Sequence, residues 1–346
     1  MLKERIKMGI AMSGGVDSTA CALLLREKYD VHAFFMKLSQ PDIELQIKRV
    51  KKITGQCGIP LQIIDLQAAF EKIVLRYFST AYRNGRTPNP CMICNREIKF
   101  GLFMDAILAS GMSRVATGHY AKIIDDDDCF LLQQGNEETK DQSYFLARLS
   151  QKQLAQVEFP LGEMTKEQVY NFVEEHGFTD FRGQESQDVC FLGTDSIGRF
   201  LETRISAPAQ SGEIVSTDGQ ILGRHKGIYN YTIGQRRGLG IAAATPLYVI
   251  RIDAENNRII AGKNEDLFRD SVEIEDVLWN CDRHPDPDHT YRVRIRYGHK
   301  GQEARITPVT DTRFRITFKE KQRAVTPGQF SVIYDQGLVL GSGEIQ

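Results

Sequence analysis

The chain is 346 residues long, enough for two or three domains, and its 41% hydrophobic and 26% charged residues suit a folded protein and not a disordered one. Its 44 Lys and Arg against 45 Asp and Glu leave a net charge of -1, so a polyanionic partner must be met by a local basic surface, not by bulk charge. Apolar runs such as Ala20–Leu25 are far too short to span a bilayer, and the opening MLKERIKMGIAMSGG has no hydrophobic region before glycine interrupts it, so a cytoplasmic protein with no membrane partner is expected.

The first half alternates strands with helices. Met8–Met12 reads as a short apolar strand, a glycine turn follows, and Thr19–Lys28 reads as a helix. Val31–Met36 is the next strand, Ile43–Cys57 a basic amphipathic helix, and Leu61–Ile64 a third strand before a helix through Ala81. After a Pro-rich loop, Asn95–Ala109 is helical and Arg114–Thr117 is a strand. Strands separated by helices of this length are βαβ units, so the spacing predicts an α/β domain whose parallel sheet carries helices on both faces. Tyr120–Ile124 and Cys129–Gln133 flank the acidic run Asp125–Asp128, which reads as a solvated hairpin turn. From about Ile205 helical periodicity disappears. Ser211–Leu222 and Leu247–Ala261 read as hairpins and Asp270–Gln346 as several further strands. The expected organisation is a catalytic domain over 1–204, a small β domain over 205–268 and a β-barrel over 269–346.

Seven cysteines without an export signal make a poor disulfide framework. Cys21, Cys57, Cys129 and Cys281 sit singly in apolar or mixed surroundings and are expected as small buried hydrophobes. Cys91, Cys94 and Cys190 lie in polar, loop-like stretches and need another explanation.

Ser13-Gly14-Gly15-Val16-Asp17-Ser18 occupies the strand-to-helix turn that opens the sheet. Two glycines let backbone N–H groups close around phosphate oxygens, and the helix that follows presents its positive end there. Ser13, Ser18 and Thr19 add hydroxyls, and Asp17 suits a magnesium ion. No Gly-Lys-[Ser/Thr] follows, so the loop is not of the Walker type, nor is it the dinucleotide GxGxxG. The hexapeptide resembles the pyrophosphate loop of the ATP pyrophosphatases, which adenylate a substrate and release pyrophosphate.

Further segments narrow that resemblance. They are Thr87-Pro88-Asn89-Pro90-Cys91-Met92-Ile93-Cys94-Asn95, Ala116-Thr117-Gly118-His119-Tyr120-Ala121, Lys140-Asp141-Gln142-Ser143-Tyr144-Phe145-Leu146, Ser186-Gln187-Asp188-Val189-Cys190-Phe191 and Tyr231-Thr232-Ile233-Gly234-Gln235-Arg236-Arg237-Gly238-Leu239-Gly240. In this order, and over essentially the whole chain, they are similar to the bacterial tRNA-specific 2-thiouridylases. The resemblance implies an adenine nucleotide α-hydrolase-like catalytic domain that thiolates the wobble uridine of tRNA with ATP, Mg2+ and a protein-borne persulfide. It makes Cys190 the persulfide carrier and Cys94 the nucleophile that resolves it, with a cysteine desulfurase or relay protein as sulfur donor. Ala11, Met12, Ser13 to Ser18, Met36 and Gly118 match the family's contacts to ATP. Asn89, Pro90, Cys91, His119, Lys140, Asp141, Gln142, Arg296, Tyr297 and Gln329 match positions that face tRNA.

At one place the chain departs from the family pattern, with Cys91 where aspartate is usual. Cys91, Cys94 and Cys190 together give three thiols, and an alternative route would hold a 4Fe–4S cluster on them and take sulfur from its open iron. Two other readings compete: an ATP pyrophosphatase for a small molecule, and a nucleotide- or RNA-binding protein without catalysis. The C-terminal stretch itself suits RNA phosphates and, equally, an outward barrel face whose charge merely keeps it soluble. Between Thr290 and Arg323 the chain has ten Lys or Arg against three Asp or Glu, and a strand there puts Arg292, Arg294 and Arg296 on one face. Arg224, Lys226, Arg236 and Arg237 add basic groups in the central region.

Overall fold

The computed structural model describes residues 5–127, 129–183, 189–193, 195–204 and 210–346. The chain opens with β1 (Lys7–Ala11), α1 (Val16–Leu25), β2 (Asp30–Lys37), α2 (Ile43–Cys57) and β3 (Leu61–Asp65). Next, α3 (Gln67–Phe70) runs through a π-helical stretch, Glu71–Leu75, into α4 (Arg76–Arg83). In the same way α5 (Pro90–Ile93) runs through a longer π-helical stretch, Cys94–Phe103, into α6 (Met104–Ala109). β4 (Arg114–Ala116), the hairpin β5 (Ala121–Asp126) and β6 (Cys129–Gln134), α7 (Ser143–Leu146), α8 (Gln151–Gln156), β7 (Val157–Glu158), α9 (Lys166–Glu175) and α10 (Ile197–Glu202) complete the first part.

β1, β2, β3, β4 and β7 form a parallel sheet in the order β3-β2-β1-β4-β7. Alternation sends Met8 and Ile10 of β1 to one face, against Ala20, Cys21 and Leu23 of α1, while Phe34 of β2 joins Phe103 and Ile107 on the other. The chain builds outward from β1 to β3, then returns to lay β4 on β1's other side. The loops after β1 and β4 therefore part in opposite directions and leave a crevice at their carboxyl ends, where open α/β sheets hold ligands.

β8 (Gly212–Ser216), β9 (Ile221–His225), β10 (Tyr248–Asp253) and β11 (Arg258–Gly262) form a small sheet in the order β10-β11-β8-β9, closed over Ile214, Val249 and Ile259. The last six strands, β12 (Phe268–Trp279), β13 (Tyr291–Arg294), β14 (Gln302–Pro308), β15 (Phe314–Arg323), β16 (Phe330–Asp335) and β17 (Leu338–Ile345), close into an antiparallel barrel because the long β12 pairs with both β15 and β17. Phe314, Ile316 and Phe318 of β15 point inward between exposed Arg315, Thr317 and Lys319. Beyond β17 the ladder continues into the β5–β6 hairpin, so the N-terminal domain contributes two strands to the barrel's sheet.

Two expectations about this region are corrected. The barrel arginines do not share a solvent face: β13 ends at Arg294, whose side chain is buried against Asp141 with Nη1 3.0 Å from Oδ2. Arg292 stays exposed beside Glu138, and Arg296, past the strand, donates to the carbonyl of Arg323. Cys129 and Cys281 are not isolated thiols either. They form a disulfide with a Cα–Cα separation of 5.9 Å, tying the hairpin to the segment after β12. Nothing in the local spacing of either cysteine announces a partner 152 residues away.

Asp141 joins the N-terminal domain to the barrel. Its carboxylate accepts from the N–H groups of Gly135 and Ser143, the Ser143 hydroxyl, the Gln134 amide and Arg294. Arg148, also buried, reaches Asp276 on β12, and Tyr144 donates to the Phe330 carbonyl. Removing one partner of a buried ion pair strands the other charge, so Asp141→Ala should lower unfolding stability by about 3–5 kcal/mol; equal urea midpoints for variant and wild type would refute this. The disulfide closes a loop of 152 residues, for which chain entropy alone gives about 5 kcal/mol. Cys129→Ser should accordingly lower the unfolding free energy by about 2–4 kcal/mol, and a thiol reductant should move the wild type's Tm but not the variant's. A wild type indifferent to reductant would count against the staple.

Candidate functional site

The crevice between the β1 and β4 loops is lined by Ala11, Met12, Ser13, Asp17, Ser18, Met36 and Gly118, all expected at the nucleotide. Phe35, Gln40, Gln46, Lys99, Phe103, Thr117, His119 and Gln142 complete its wall. Gly14 takes φ +82, a conformation that favours glycine, and turns the chain from β1 into α1. At Gly15, the N-cap of α1, no side chain caps the helix, so the first-turn N–H groups remain for an anion. Inside the loop Ser13 and Ser18 hydroxyls face each other at 3.3 Å, and Ser18 donates to the Gly15 carbonyl. Thr19 is fully buried with its hydroxyl committed to the same carbonyl, so it is not a phosphate donor. Val16 packs into the core, away from the cleft. Gly118 lies against the start of α1: a Cβ there would come 2.7 Å from the Asp17 carbonyl carbon, and this close approach requires glycine.

Asp17 does not stand alone. Lys166, at the start of α9, grips both its oxygens at 2.8 and 2.9 Å, and the Tyr120 hydroxyl donates to Oδ1 at 2.7 Å. The Lys166 ammonium also lies over the Tyr120 and Tyr170 rings. The sequence gives no local sign of Lys166, which follows a Thr165 capping box typical of any helix start.

The cysteine loop reaches the same region. Asn89 is buried, and its side-chain oxygen accepts from Met92 N–H as the N-cap of α5, with Pro90 buried at the first turn. Gln329 of the barrel donates to the carbonyls of Thr87 and Pro88, and Thr87 N–H donates to Pro327, so the barrel braces this loop. Cys91 and Cys94 are half-buried, whereas Cys190 is exposed. Cys190 is followed by Phe191, which is wedged edge-on between Phe70 and Phe78 and packed on Phe200. Val189 and Cys94 pack on this same aromatic cluster. Ser186, Gln187 and Asp188 lie outside the described residues.

Burial pushes the Cys91 thiol up to about 11, reinforced by Cys190 and opposed by Lys99. Burial pushes Cys94 up to about 12; Lys99 opposes it, and Cys190 and Cys91 add to it. Cys94 thus lies within electrostatic reach of the other two thiols, and Cys91 within reach of Cys190. Among the described residues no three His, Cys, Asp or Glu side chains gather as a metal-ligand set. The thiols do not fit a cluster as they stand, and the iron–sulfur alternative is not favoured.

Lys99 sits five residues beyond Cys94 on the π-helical stretch, whose i→i+5 turn brings together residues that an α-helix holds apart. That is why sequence periodicity passed over it. Its Nζ lies 3.2 Å from His119 Nε2, and Thr117 Oγ1 lies 2.7 Å from His119 Nδ1. An ammonium only donates, so Nε2 accepts and Nδ1 carries the proton toward Thr117. Burial, with Lys99 beside it, holds His119 well below the usual histidine range, so the ring is neutral.

The remaining expected tRNA positions are placed less uniformly. Gln142 lines the cleft and accepts from Tyr120 N–H. Lys140 is half-buried at the turn before it, and Asp141 is buried, holding the barrel instead of facing solvent. Arg296 is exposed, and Tyr297, 38% exposed, stacks on Phe145 at 4.3 Å.

Family models match the chain from end to end. A tRNA methyl transferase HUP domain covers residues 6–194, a tRNA methyl transferase PRC-barrel domain residues 198–263, and an aminomethyltransferase β-barrel domain residues 269–345. Among similar proteins is a tRNA-specific 2-thiouridylase MnmA of Desulfotalea psychrophila, 53% identical over 97% of this chain and 98% of its own. Proteins of the same description from Acetivibrio thermocellus and Treponema denticola are 39% identical over 100% of both chains and 38% identical over 99% of this chain and 98% of theirs. The pyrophosphate-loop crevice, the paired cysteine segments and these full-length matches place the chain in the tRNA-specific 2-thiouridylase family.

Proposed function

We propose that this protein is an ATP-dependent tRNA sulfurtransferase that converts the C2 carbonyl of the wobble uridine to a thiocarbonyl. The observation that carries the reading is the shared cleft: the pyrophosphate loop, His119 and Gln142 line one cavity, and Lys99 links its wall to the cysteine loop. A nucleotide on the loop and a base beside His119 would meet there.

The chemistry runs through three displacements. Uracil O2 attacks the α-phosphorus of ATP; the O2–P bond forms, the bond to the β-phosphate breaks, and pyrophosphate leaves with the electron pair. The terminal sulfur of a Cys190 persulfide then attacks C2, and AMP departs with the former O2. Cys94, as thiolate, attacks the Cys190 sulfur, and the sulfane bond breaks so that its electron pair passes to the sulfur now on C2. A Cys94–Cys190 disulfide remains, which a two-electron thiol reductant must open before the next turnover. The exposure of Cys190 suits loading by a persulfide-bearing donor protein, and the part-buried Cys94 suits a residue that acts only on Cys190.

Mg2+ usually keeps several waters and takes one or two carboxylates with substrate phosphates. Asp17 at the loop supplies one such carboxylate, and Lys166 and Tyr120 orient it. Bound there, the ion would neutralise the leaving pyrophosphate. Arg292, Arg296 and Tyr297 on the barrel's exposed side provide phosphate and stacking contacts for the tRNA body. No described helix is long and apolar enough to cross a membrane; with tRNA as substrate, we assign the protein to the cytoplasm.

The test is nucleoside mass spectrometry of unmodified tRNA after incubation with the protein, MgATP and a persulfide donor. One AMP should appear per 2-thiouridine. Cys190→Ser and Cys94→Ser should each abolish 2-thiouridine, with Cys190→Ser keeping tRNA-dependent ATP consumption. Undiminished thiolation in the double variant would overturn the two-cysteine mechanism.

A further inference from the structure

Two lysines stand at the cleft, and their situations differ. Lys166 is neutralised by the Asp17 carboxylate. Lys99 is the one Lys or Arg among the residues that line the cavity, and among the described residues it has no carboxylate partner. It rests on the Nε2 of a neutral imidazole, half-buried between the nucleotide loop and the cysteine loop. A partly desolvated ammonium without a counter-ion is poised for an anion, and adenylyl transfer builds negative charge in this cavity.

We propose that Lys99 is a further catalytic residue, the cation that meets the α-phosphate of ATP while uracil O2 displaces pyrophosphate. The inference rests on the reading that this cleft takes ATP. As O2 bonds to phosphorus and the leaving bond lengthens, charge spreads over the non-bridging oxygens of the transferred phosphoryl group. An ammonium has three N–H donors. One meets His119 Nε2 and the others are directed by that hydrogen bond, which Thr117 fixes from the far side of the ring. Phe100 and Phe159 flank the imidazole at centroid distances of 5.6 and 5.9 Å, so the ring cannot swing and Lys99 keeps its aim. When AMP leaves with the new charge on its oxygens, the same ammonium stabilises the departing group. Lys99 also favours the thiolate at Cys94 and so connects the first displacement to the last.

The experiment compares wild type, Lys99→Met and Lys99→Arg, each with Tm and tRNA filter binding recorded as checks on folding. ATP affinity is measured by calorimetry, and tRNA-dependent AMP formation is followed with label in the α-phosphate. Lys99→Met should lower kcat at saturating ATP by about 100-fold or more, the loss typical of removing one preorganised transition-state donor, while tRNA affinity stays within threefold. Lys99→Arg should recover at least tenfold of that loss, which a purely packing role would not allow. A Lys99→Met kcat within threefold of wild type overturns the proposal, as does a variant weakened only in KM for ATP. If wild type itself releases no AMP with tRNA, the sulfurtransferase reading fails. Lys99 is then judged by calorimetry alone: a tenfold or greater loss of ATP affinity in Lys99→Met supports its phosphate contact, and a smaller loss overturns it.

Discussion

A carboxylate with no exposed surface holds the molecule together. Asp141 gathers five donors from the catalytic domain and the barrel, and without it Arg294 would keep a buried charge on the barrel's rim. The arrangement works because burial raises the cost of any alternative: neither ion can return to water without parting the domains. Its placement ties it to function as well. Gln142, the next residue, lines the cleft, and the turn that carries both follows directly from the β5–β6 hairpin that extends the barrel sheet. The barrel repays the contact at Gln329, whose amide holds the Thr87 and Pro88 carbonyls just ahead of the cysteine helix. A β module whose composition suggests an RNA-facing or a merely solubilising surface is therefore a scaffold for the cysteine loop.

The nucleotide end of the site is governed by topology more than by side chains. Because β1 and β4 are neighbours reached from opposite directions, their loops must part, and the helix that follows β1 must point its N-terminus into the gap. Glycine at 14 and 118 is what lets the backbone turn there and come close. Charge is then distributed sparingly. Asp17 is paired to Lys166, His119 is neutral, and one ammonium remains facing the cavity.

Much of this was legible in the sequence where a local rule decides the outcome. The helix Ile43–Cys57 is found at those bounds, and the parallel sheet follows from strands spaced by helices. The hairpin around Asp125–Asp127 follows from two apolar runs split by charge. What escaped depends on pairings across long stretches of chain. Arg294 alternates with apolar residues as a surface arginine would, but Asp141, 153 residues away, and the Tyr144 ring draw it inward. Cys129 and Cys281 each read as an ordinary small apolar residue until the fold brings them together. Lys99 escaped for a different reason: its relation to Cys94 belongs to a π-helical turn, and pattern reading assumes the α-helical period.

The burial of the cysteines has a chemical consequence for a persulfide route. With their thiols pushed up to about 12 and about 11, Cys94 and Cys91 rest protonated at neutral pH. A thiolate standing beside a loaded Cys190 would attack the persulfide at once, form the disulfide and release the sulfur as hydrosulfide with no base to receive it. A protonated Cys94 avoids that waste. On the proposed route its proton would leave only after the sulfur has bonded to C2, passing to the phosphate oxygens of the departing AMP beside Lys99. On that route the low dielectric around the thiol would disfavour the thiolate until then, and Lys99 at the edge of the cleft would offer it a partner.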